Sequence, residues 1–177
     1  LNASATSSVA IGKNAMNVNT TGDENTAVGT SCLDANTTGT DNTAMGHRAL
    51  GANTTGGFNT AIGNDALDAV SSGSNNSAVG FNALGLNTTS NNTAIGYNAA
   101  AANTSGGNVV AVGYKALEAH TTANHVTAVG SEALKANTTG ANNSAFGTGA
   151  LSSNTTATNN TGIGFTALND ATTGYEN

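Results

Sequence analysis

The amino-acid sequence predicts an all-β protein, a parallel β-solenoid of about ten coils of 17 residues each. Two observations predict it: one short unit repeats along the whole chain, and glycine and polar residues interrupt every unit too soon for a helix. A helical repeat needs an amphipathic stripe of period 3.6 over at least about ten residues. A short strand, a second extended or turn segment and a polar corner account for one unit better.

A glycine that follows a small residue and a large apolar residue marks the period. Successive copies lie 17 residues apart, except for one step of 16 between Gly80 and Gly96. We treat residues 1–177 as a single repeat array and expect the missing residue in the polar corner between Thr89 and Asn92, where no core side chain shifts. The anchor glycines are Gly12, Gly29, Gly46, Gly63, Gly80, Gly96, Gly113, Gly130, Gly147 and Gly164.

Composition argues against several classes of function. Charged residues make up 8% of the chain, against about 25% in an ordinary domain, and the net charge of −6 includes only 4 basic residues. Nucleic acids and anionic membranes attract proteins through a basic footprint, so we expect neither partner. No apolar run approaches the length of roughly 18 residues that spans a bilayer, which predicts no membrane insertion by this segment. No catalytic motif interrupts the repeat, so the sequence predicts neither an enzyme nor a cofactor.

Large apolar residues recur at two positions per unit. Because side chains two apart on a strand share a face, the residue two before the first ladder points the same way as that ladder. The intervening alanine faces the opposite side, and we expect the strand to be covered closely on both faces. The first ladder contains Val28, Met45, Ile62, Val79, Ile95, Val112 and Val129, and the second contains Leu33, Leu50, Leu67, Leu84, Leu117 and Leu134.

Asparagine recurs at two places in the corner, and we expect its amides to pair with the coils above and below. These pairs would satisfy corner backbone groups that the sheet leaves free. Many of these asparagines lie in glycosylation acceptor sequences, which a structural role explains without glycosylation. The corner glycine is expected at positive φ, which glycine adopts at low cost. The two sets are Asn36, Asn53, Asn87, Asn103, Asn137 and Asn154, and Asn25, Asn42, Asn59, Asn76 and Asn92.

The thin core predicts self-association. Two large apolar side chains per unit bury too little to offset an ordering cost of about 1–2 kcal/mol per residue. The alanine ladder would let other chains approach closely, and three copies about one axis would bury the alanine and Val/Ile faces together as a homotrimer. The chain also begins part-way through a unit and stops at Asn177, so we expect further sequence or another copy to continue the stack beyond Leu1 and Asn177.

Few residues stand out as candidates for chemistry. Phe81, Tyr97 and Tyr114 follow the anchor glycine on successive coils and form a candidate ligand-contact strip for sugar rings, with packing against the next coil as the competing interpretation. The pairs Lys115 with Glu132 and Glu118 with Lys135 are each 17 residues apart, which predicts weak ion pairs across adjacent coils.

Neither the cysteine nor the histidines form a predicted site within one chain. Cys32 occupies a small-residue position and is expected to be buried and unreactive. The three histidines lie in different registers, so the sequence predicts no metal site within one chain. In a trimer, a metal site formed by three symmetry-related His120 or His125 side chains is an alternative.

Several strings carry a family resemblance. The segments SSVAIGKNA from Ser7 to Ala15, NTAIGYNA and VVAVGYKAL resemble the head repeats of trimeric autotransporter adhesins, and more closely the NTAIGYNAL-type repeats of phage tail-fibre and bacterial surface proteins. The resemblance covers essentially the whole chain. It implies a left-handed, trimeric, parallel β-roll outside the cell, on a cell surface or a virion, with a host-surface glycan or protein as receptor. The adhesin-head unit is shorter and lacks the NTTG corner of this chain.

Three functions follow as hypotheses. The first is a structural or adhesive segment of a longer extracellular fibre, an adhesin head or a tail-fibre shaft, that presents binding surfaces. The second is a self-polymerising extracellular filament whose uncapped ends stack. The third is ice binding by regularly spaced threonines, for which Thr37, Thr54, Thr88 and Thr138 share one register. Neighbouring threonines alternate faces and asparagine interrupts them, which argues against the third function.

Overall fold

The chain winds into a parallel β-solenoid. The computed structural model describes residues 7–170 and residue 172, and in it ten three-residue strands form one parallel sheet in sequence order. The all-β solenoid that the repeat predicts is therefore confirmed, whereas Leu1 and Asn177, where we expected the stack to continue, lie outside the described residues. The strands are β1 (Val9–Ile11), β2 (Thr26–Val28), β3 (Thr43–Met45), β4 (Thr60–Ile62), β5 (Ser77–Val79), β6 (Thr93–Ile95), β7 (Val110–Val112), β8 (Thr127–Val129), β9 (Ser144–Phe146) and β10 (Thr161–Ile163). Turns and bends connect them, and no helical segment in the described part has the length and hydrophobicity to cross a membrane.

The 17-residue period is the pairing register of the sheet. Thr43 lies opposite Thr60, and the single step of 16, from Ser77 to Thr93, keeps the same pairing. The missing residue is absorbed in the corner, where the Asn76 amide donates to the Thr89 carbonyl at 2.8 Å in place of a glycine carbonyl. The expectation that the deletion lies in the corner and shifts no strand is confirmed.

A narrow interior lies between alanine and leucine. From Ala27 to Ala145 the middle residue of each strand has no exposed surface, and the residues opposite are fully buried at Met16, Leu33, Leu50, Leu67, Leu84, Leu117, Leu134 and Leu151. The strand alanines and these residues form one buried cluster, and a methyl group is the largest side chain at the middle position of any strand. The prediction that the alanine ladder meets other chains is therefore wrong, because these alanines already pack inside this chain.

The first and third residues of each strand point away from the interior, and we call them the strand face. Met45, Ile62 and Ile95 on this face are 44%, 38% and 44% exposed. Val28, Val79, Val112 and Val129 in the same column are partly exposed. A single chain thus covers its strands on one side only, contrary to the expectation of close cover on both.

Glycine serves two different purposes in most coils. The anchor glycines have φ between +124° and +144°, a region that other residues rarely adopt. At Gly63 a Cβ would also lie 2.4 Å from the Gly80 oxygen. The corner glycines do not have positive φ, so that prediction is wrong. Where the corner residue is glycine it lies in close contact, since a Cβ at Gly39 would lie 2.3 Å from the Gly56 oxygen and 2.5 Å from Asn36 Oδ1, whereas Thr89, Ala123 and Ala157 occupy the equivalent position on other coils.

Two buried columns of asparagine join the coils at the corner, as predicted. Asn36 Nδ2 donates to Asn19 Oδ1 one coil earlier and to the Gly39 carbonyl, both at 3.0 Å. Asn42 Nδ2 donates in the same way to Asn25 Oδ1 at 3.1 Å. The first asparagine column contains Asn19, Asn36, Asn53, Asn87, Asn103, Asn137 and Asn154, and the second contains Asn25, Asn42, Asn59, Asn76, Asn92, Asn143 and Asn160.

Other residues interrupt both columns. Val109 and Val126 stand in the second column, and Val70 and His120 stand in the first. Where Val70 replaces asparagine, the preceding Asn53 Oδ1 is buried without a hydrogen-bond partner. An unsatisfied buried acceptor costs about 1–3 kcal/mol.

His120 reproduces the asparagine pattern with a ring. Its Nε2 lies 2.9 Å from the Ala123 carbonyl, and its Nδ1 lies 3.2 Å from the Asn137 amide nitrogen, which donates to it. These partners place the proton on Nε2 of a neutral ring. Burial lowers the pKa of His120.

Restoring the first column at position 70 should stabilise the protein. Val70→Asn supplies an amide donor to Asn53 Oδ1 and a second to the corner carbonyl, which offsets the loss of a buried isopropyl group. We expect the free energy of unfolding, measured by denaturant titration, to rise by about 1 kcal/mol. Val70→Ala, which adds no donor, should lower it. A gain that persists when Asn53 is replaced by Ala would contradict the assignment.

The buried imidazole should make stability depend on pH. Unfolded histidine binds a proton below about pH 6.5, whereas folded His120 resists protonation, so the free energy of unfolding should fall as the pH decreases below that value. His120→Asn keeps both hydrogen bonds and should flatten this dependence between about pH 7.5 and pH 5. His125→Asn, which changes an exposed ring, should leave the dependence in place. Equal pH profiles for wild type and His120→Asn would refute the prediction.

Candidate functional site

The structure brings the three predicted aromatic residues into one stack, which we call the aromatic column. The ring centroids of Phe81 and Tyr97 lie 5.3 Å apart and those of Tyr97 and Tyr114 lie 5.6 Å apart, with interplanar angles of 13° and 17°. Each residue follows the anchor glycine of its coil, so the spacing of the coils sets the spacing of the rings.

The rings of the aromatic column are stacked and are open to solvent. Carbon atoms in contact lie about 3.5–4.0 Å apart, so rings whose centroids are 5.3 Å apart do not cover one another in full face-to-face contact. Phe81, Tyr97 and Tyr114 are accordingly 45%, 46% and 50% exposed. Packing against the next coil and exposure to a ligand are therefore compatible at this position.

A row of polar side chains beside the aromatic column was not predicted. Asn82 Nδ2 donates to Asn98 Oδ1, and Asn98 Nδ2 donates to Glu118 Oε1, both at 3.2 Å. Lys115 Nζ lies 3.1 Å from the same Glu118 oxygen and 5.6 Å from the Tyr114 ring centroid. We call these four residues the polar row. In the sequence, Asn82, Asn98 and Lys115 directly follow the three aromatic residues, and this shared position is the pattern that indicates three members of the row.

The ion pairs differ from those predicted across coils. Lys115 pairs with Glu118, and Lys135 pairs with Glu132 at 3.2 Å, each three residues apart within one coil. A turn brings them together, because the Glu118 backbone N–H donates to the Lys115 carbonyl at 3.3 Å. The hydrogen bond to Glu118 raises the pKa of Lys115.

A notch in the surface is lined in part by Gly51. Its volume is about 350 Å³, and Asp34, Arg48 and Asp68 line it. Arg48 pairs with Asp68 and, at 3.6 Å, with Asp65. Burial raises the pKa of Asp68, while the charge of Arg48 opposes the shift. The guanidinium thus partly neutralises the carboxylates that border the notch.

Cys32 lies in the interior. It has no exposed surface, and its Sγ lies 3.1 Å from the Ala44 carbonyl. Burial raises the pKa of the Cys32 thiol to about 11, so a reactive thiolate is disfavoured.

The histidines offer little to a metal ion. His120 is fully buried with both ring nitrogens occupied, which rules out the ring of symmetry-related His120 ligands, whereas His125 is exposed. Within the described residues, no group of three or more His, Cys, Asp and Glu side chains is placed to hold a metal.

Most asparagines in glycosylation acceptor sequences are inaccessible. Asn36, Asn53 and Asn137 have no exposed surface, because their amides form the first asparagine column. Asn75, Asn91, Asn142 and Asn159, which also precede acceptor residues by two positions, are exposed in the corner. The structural role of the buried asparagines accounts for the repeated motif.

Comparisons with models of known protein families, with curated proteins and with solved structures find no match.

Proposed function

We propose that the chain is a structural, adhesive segment of a fibre on a cell surface or a virion, in which three left-handed β-rolls associate through their strand faces. One observation carries the proposal: the strand face runs along all ten described strands and contains none of the 4 basic and 10 acidic residues. Depletion of charge is typical of the centre of an interface between proteins.

The strand face is continuous along the described strands. Nine coil-to-coil steps of about 4.8 Å give it a length of about 43 Å, and its two columns lie about 7 Å apart. Its third-residue column consists of valine, isoleucine, methionine and phenylalanine. Its first-residue column is mainly threonine and serine, so a continuous apolar column runs beside a hydroxyl column along the described strands.

The energetics of one coil also favour association. Most coils fully bury one large apolar side chain in the leucine position, such as Leu67, and leave a second on the strand face, such as Ile62, which is 38% exposed. Full burial of a Val, Leu or Ile side chain stabilises a protein by about 1.5–3 kcal/mol relative to leaving it exposed. Association that covers the second residue would supply the part of this stabilisation that a single chain lacks. A trimer places three strand faces about one axis and gives each copy two neighbours. The alanines contribute to the interior of each roll rather than to the interface.

Mass in solution tests the proposal. We expect size-exclusion chromatography with light scattering to give three times the 17.1 kDa of the single chain. The double variant Ile62→Asp/Ile95→Asp places charges on the strand face and should reduce the mass to that of one chain. The control Thr55→Asp/Ser105→Asp adds the same charges at exposed corner positions and should remain trimeric. A monomeric wild type, or a double variant of unchanged mass, would overturn the proposal.

Ice binding is a second candidate, favoured by a different set of threonines from those first considered. Thr37 and Thr54 donate their hydroxyls to the carbonyl one coil later, at 2.9 Å, as do others in that register. By contrast, Thr43, Thr60 and Thr93 on the strand face form no side-chain hydrogen bond to another described residue. They form a hydroxyl column at the coil spacing beside an apolar column. Thermal hysteresis from a monomeric protein would favour ice binding, and its absence would exclude it.

A further inference from the structure

The aromatic column and the polar row together form a surface with two chemistries side by side. Phe81, Tyr97 and Tyr114 supply an apolar strip that is about half exposed. Asn82 and Asn98 beside them supply amide groups linked to each other by a hydrogen bond. No other three consecutive described coils carry aromatic residues at the position after the anchor glycine.

The charges of this surface cancel. Lys115 and Glu118 form an ion pair with Nζ and Oε1 3.1 Å apart. The aromatic column is flanked in its own register by Asn64 on the preceding coil and Ser131 on the following coil, both uncharged. A ligand that matches this surface is therefore neutral, polar at its edge and apolar on one side.

We propose that the aromatic column and the polar row bind a neutral, extended oligosaccharide. A sugar ring has an apolar face of C–H groups and a rim of hydroxyls, so the aromatic rings meet the face while the amides, Lys115 and Glu118 exchange hydrogen bonds with the rim. The ring spacings of 5.3 and 5.6 Å are close to the length that one hexose adds to an extended chain. Consecutive sugars can thus meet consecutive coils along the solenoid axis.

A second copy of the chain fits this surface less well. The strand face is free of charge and lacks hydrogen-bonded polar side chains along its columns, whereas the polar row presents an ammonium and a carboxylate. Burying that pair in a protein interface would require desolvation of both ions. A saccharide, in contrast, leaves the pair at the edge of the site and hydrogen-bonds to it.

The test uses defined oligosaccharides and the whole chain. Cellohexaose and chitohexaose are titrated into the wild-type protein while NMR follows the aromatic protons of Tyr97 and Tyr114. At least one of the two should shift these signals, with a dissociation constant on the order of 1 mM, as befits a shallow site. A hexamer of galacturonic acid, which is negatively charged, should bind more weakly. Failure of both neutral hexamers, or preference for the acidic one, would overturn the proposal.

Variants locate the site. The triple variant Phe81→Ser/Tyr97→Ser/Tyr114→Ser removes the rings, and serine is accepted in this register at Ser131. Its affinity, measured by calorimetry, should fall at least tenfold. The control Phe58→Ser removes a phenylalanine that is 62% exposed outside the column and should bind like wild type. Unchanged affinity in the triple variant, or an equal loss in the control, would contradict the assignment.

Association and saccharide binding are separable in this design. The triple variant should keep the mass of the wild type, whether that mass is of one chain or three. A decrease in its mass relative to wild type would place the aromatic column between copies and overturn the proposal of a saccharide site. A monomeric wild type that binds the hexamer would refute the fibre proposal alone.

Discussion

The stack of coils depends on the buried asparagine amides that most coils contribute to each of the two columns. A 17-residue coil has three strand residues, so most of its backbone lies in turns whose polar groups the sheet ladder does not reach. The asparagine amide donates both to the asparagine one coil earlier and to a corner carbonyl, as at Asn36. Buried polar groups are tolerated only when they are hydrogen-bonded, and repetition supplies each asparagine with a partner of the same kind.

The sequence predicts the repeat, the strands and the asparagine columns because each depends on residues in fixed register. It does not predict which side of a strand is buried. Ala61 and Ile62 point to opposite sides of their strand, and hydrophobicity alone would place the isoleucine inside. In the structure Ala61 is buried in one cluster with the leucines, and Ile62 lies on the strand face. The backbone of the leucines was equally unexpected: Leu33 and Leu67 have φ of 50° and 51°. Such a conformation costs about 1–2 kcal/mol per residue, and hydrogen bonds to the next coil, such as Leu33 N–H to the Ala49 carbonyl, oppose that cost.

The candidate site was predictable in part for the same reason. Phe81, Tyr97 and Tyr114 share a register, so their proximity follows from the period. Asn82, Asn98 and Lys115 share a register as well, but the place of Glu118 was not predictable, because Glu118 contacts Asn98 and Lys115 at separations of 20 and 3 residues. Contacts of this kind depend on how the turn at each leucine directs long side chains, which the period alone does not specify.

The asparagine columns give the rod a polarity. Asn36 donates to Asn19, and Asn53 donates to Asn36, always toward the earlier coil. Thr37 and Thr54 donate in the opposite sense, toward the later coil. Turning the rod end over end would therefore reverse the direction of these hydrogen bonds at every coil. The two ends of the rod are thus chemically different surfaces. In an assembly of parallel rods these ends would form a base and a tip, and a ligand on the aromatic column would lie at a fixed height between them.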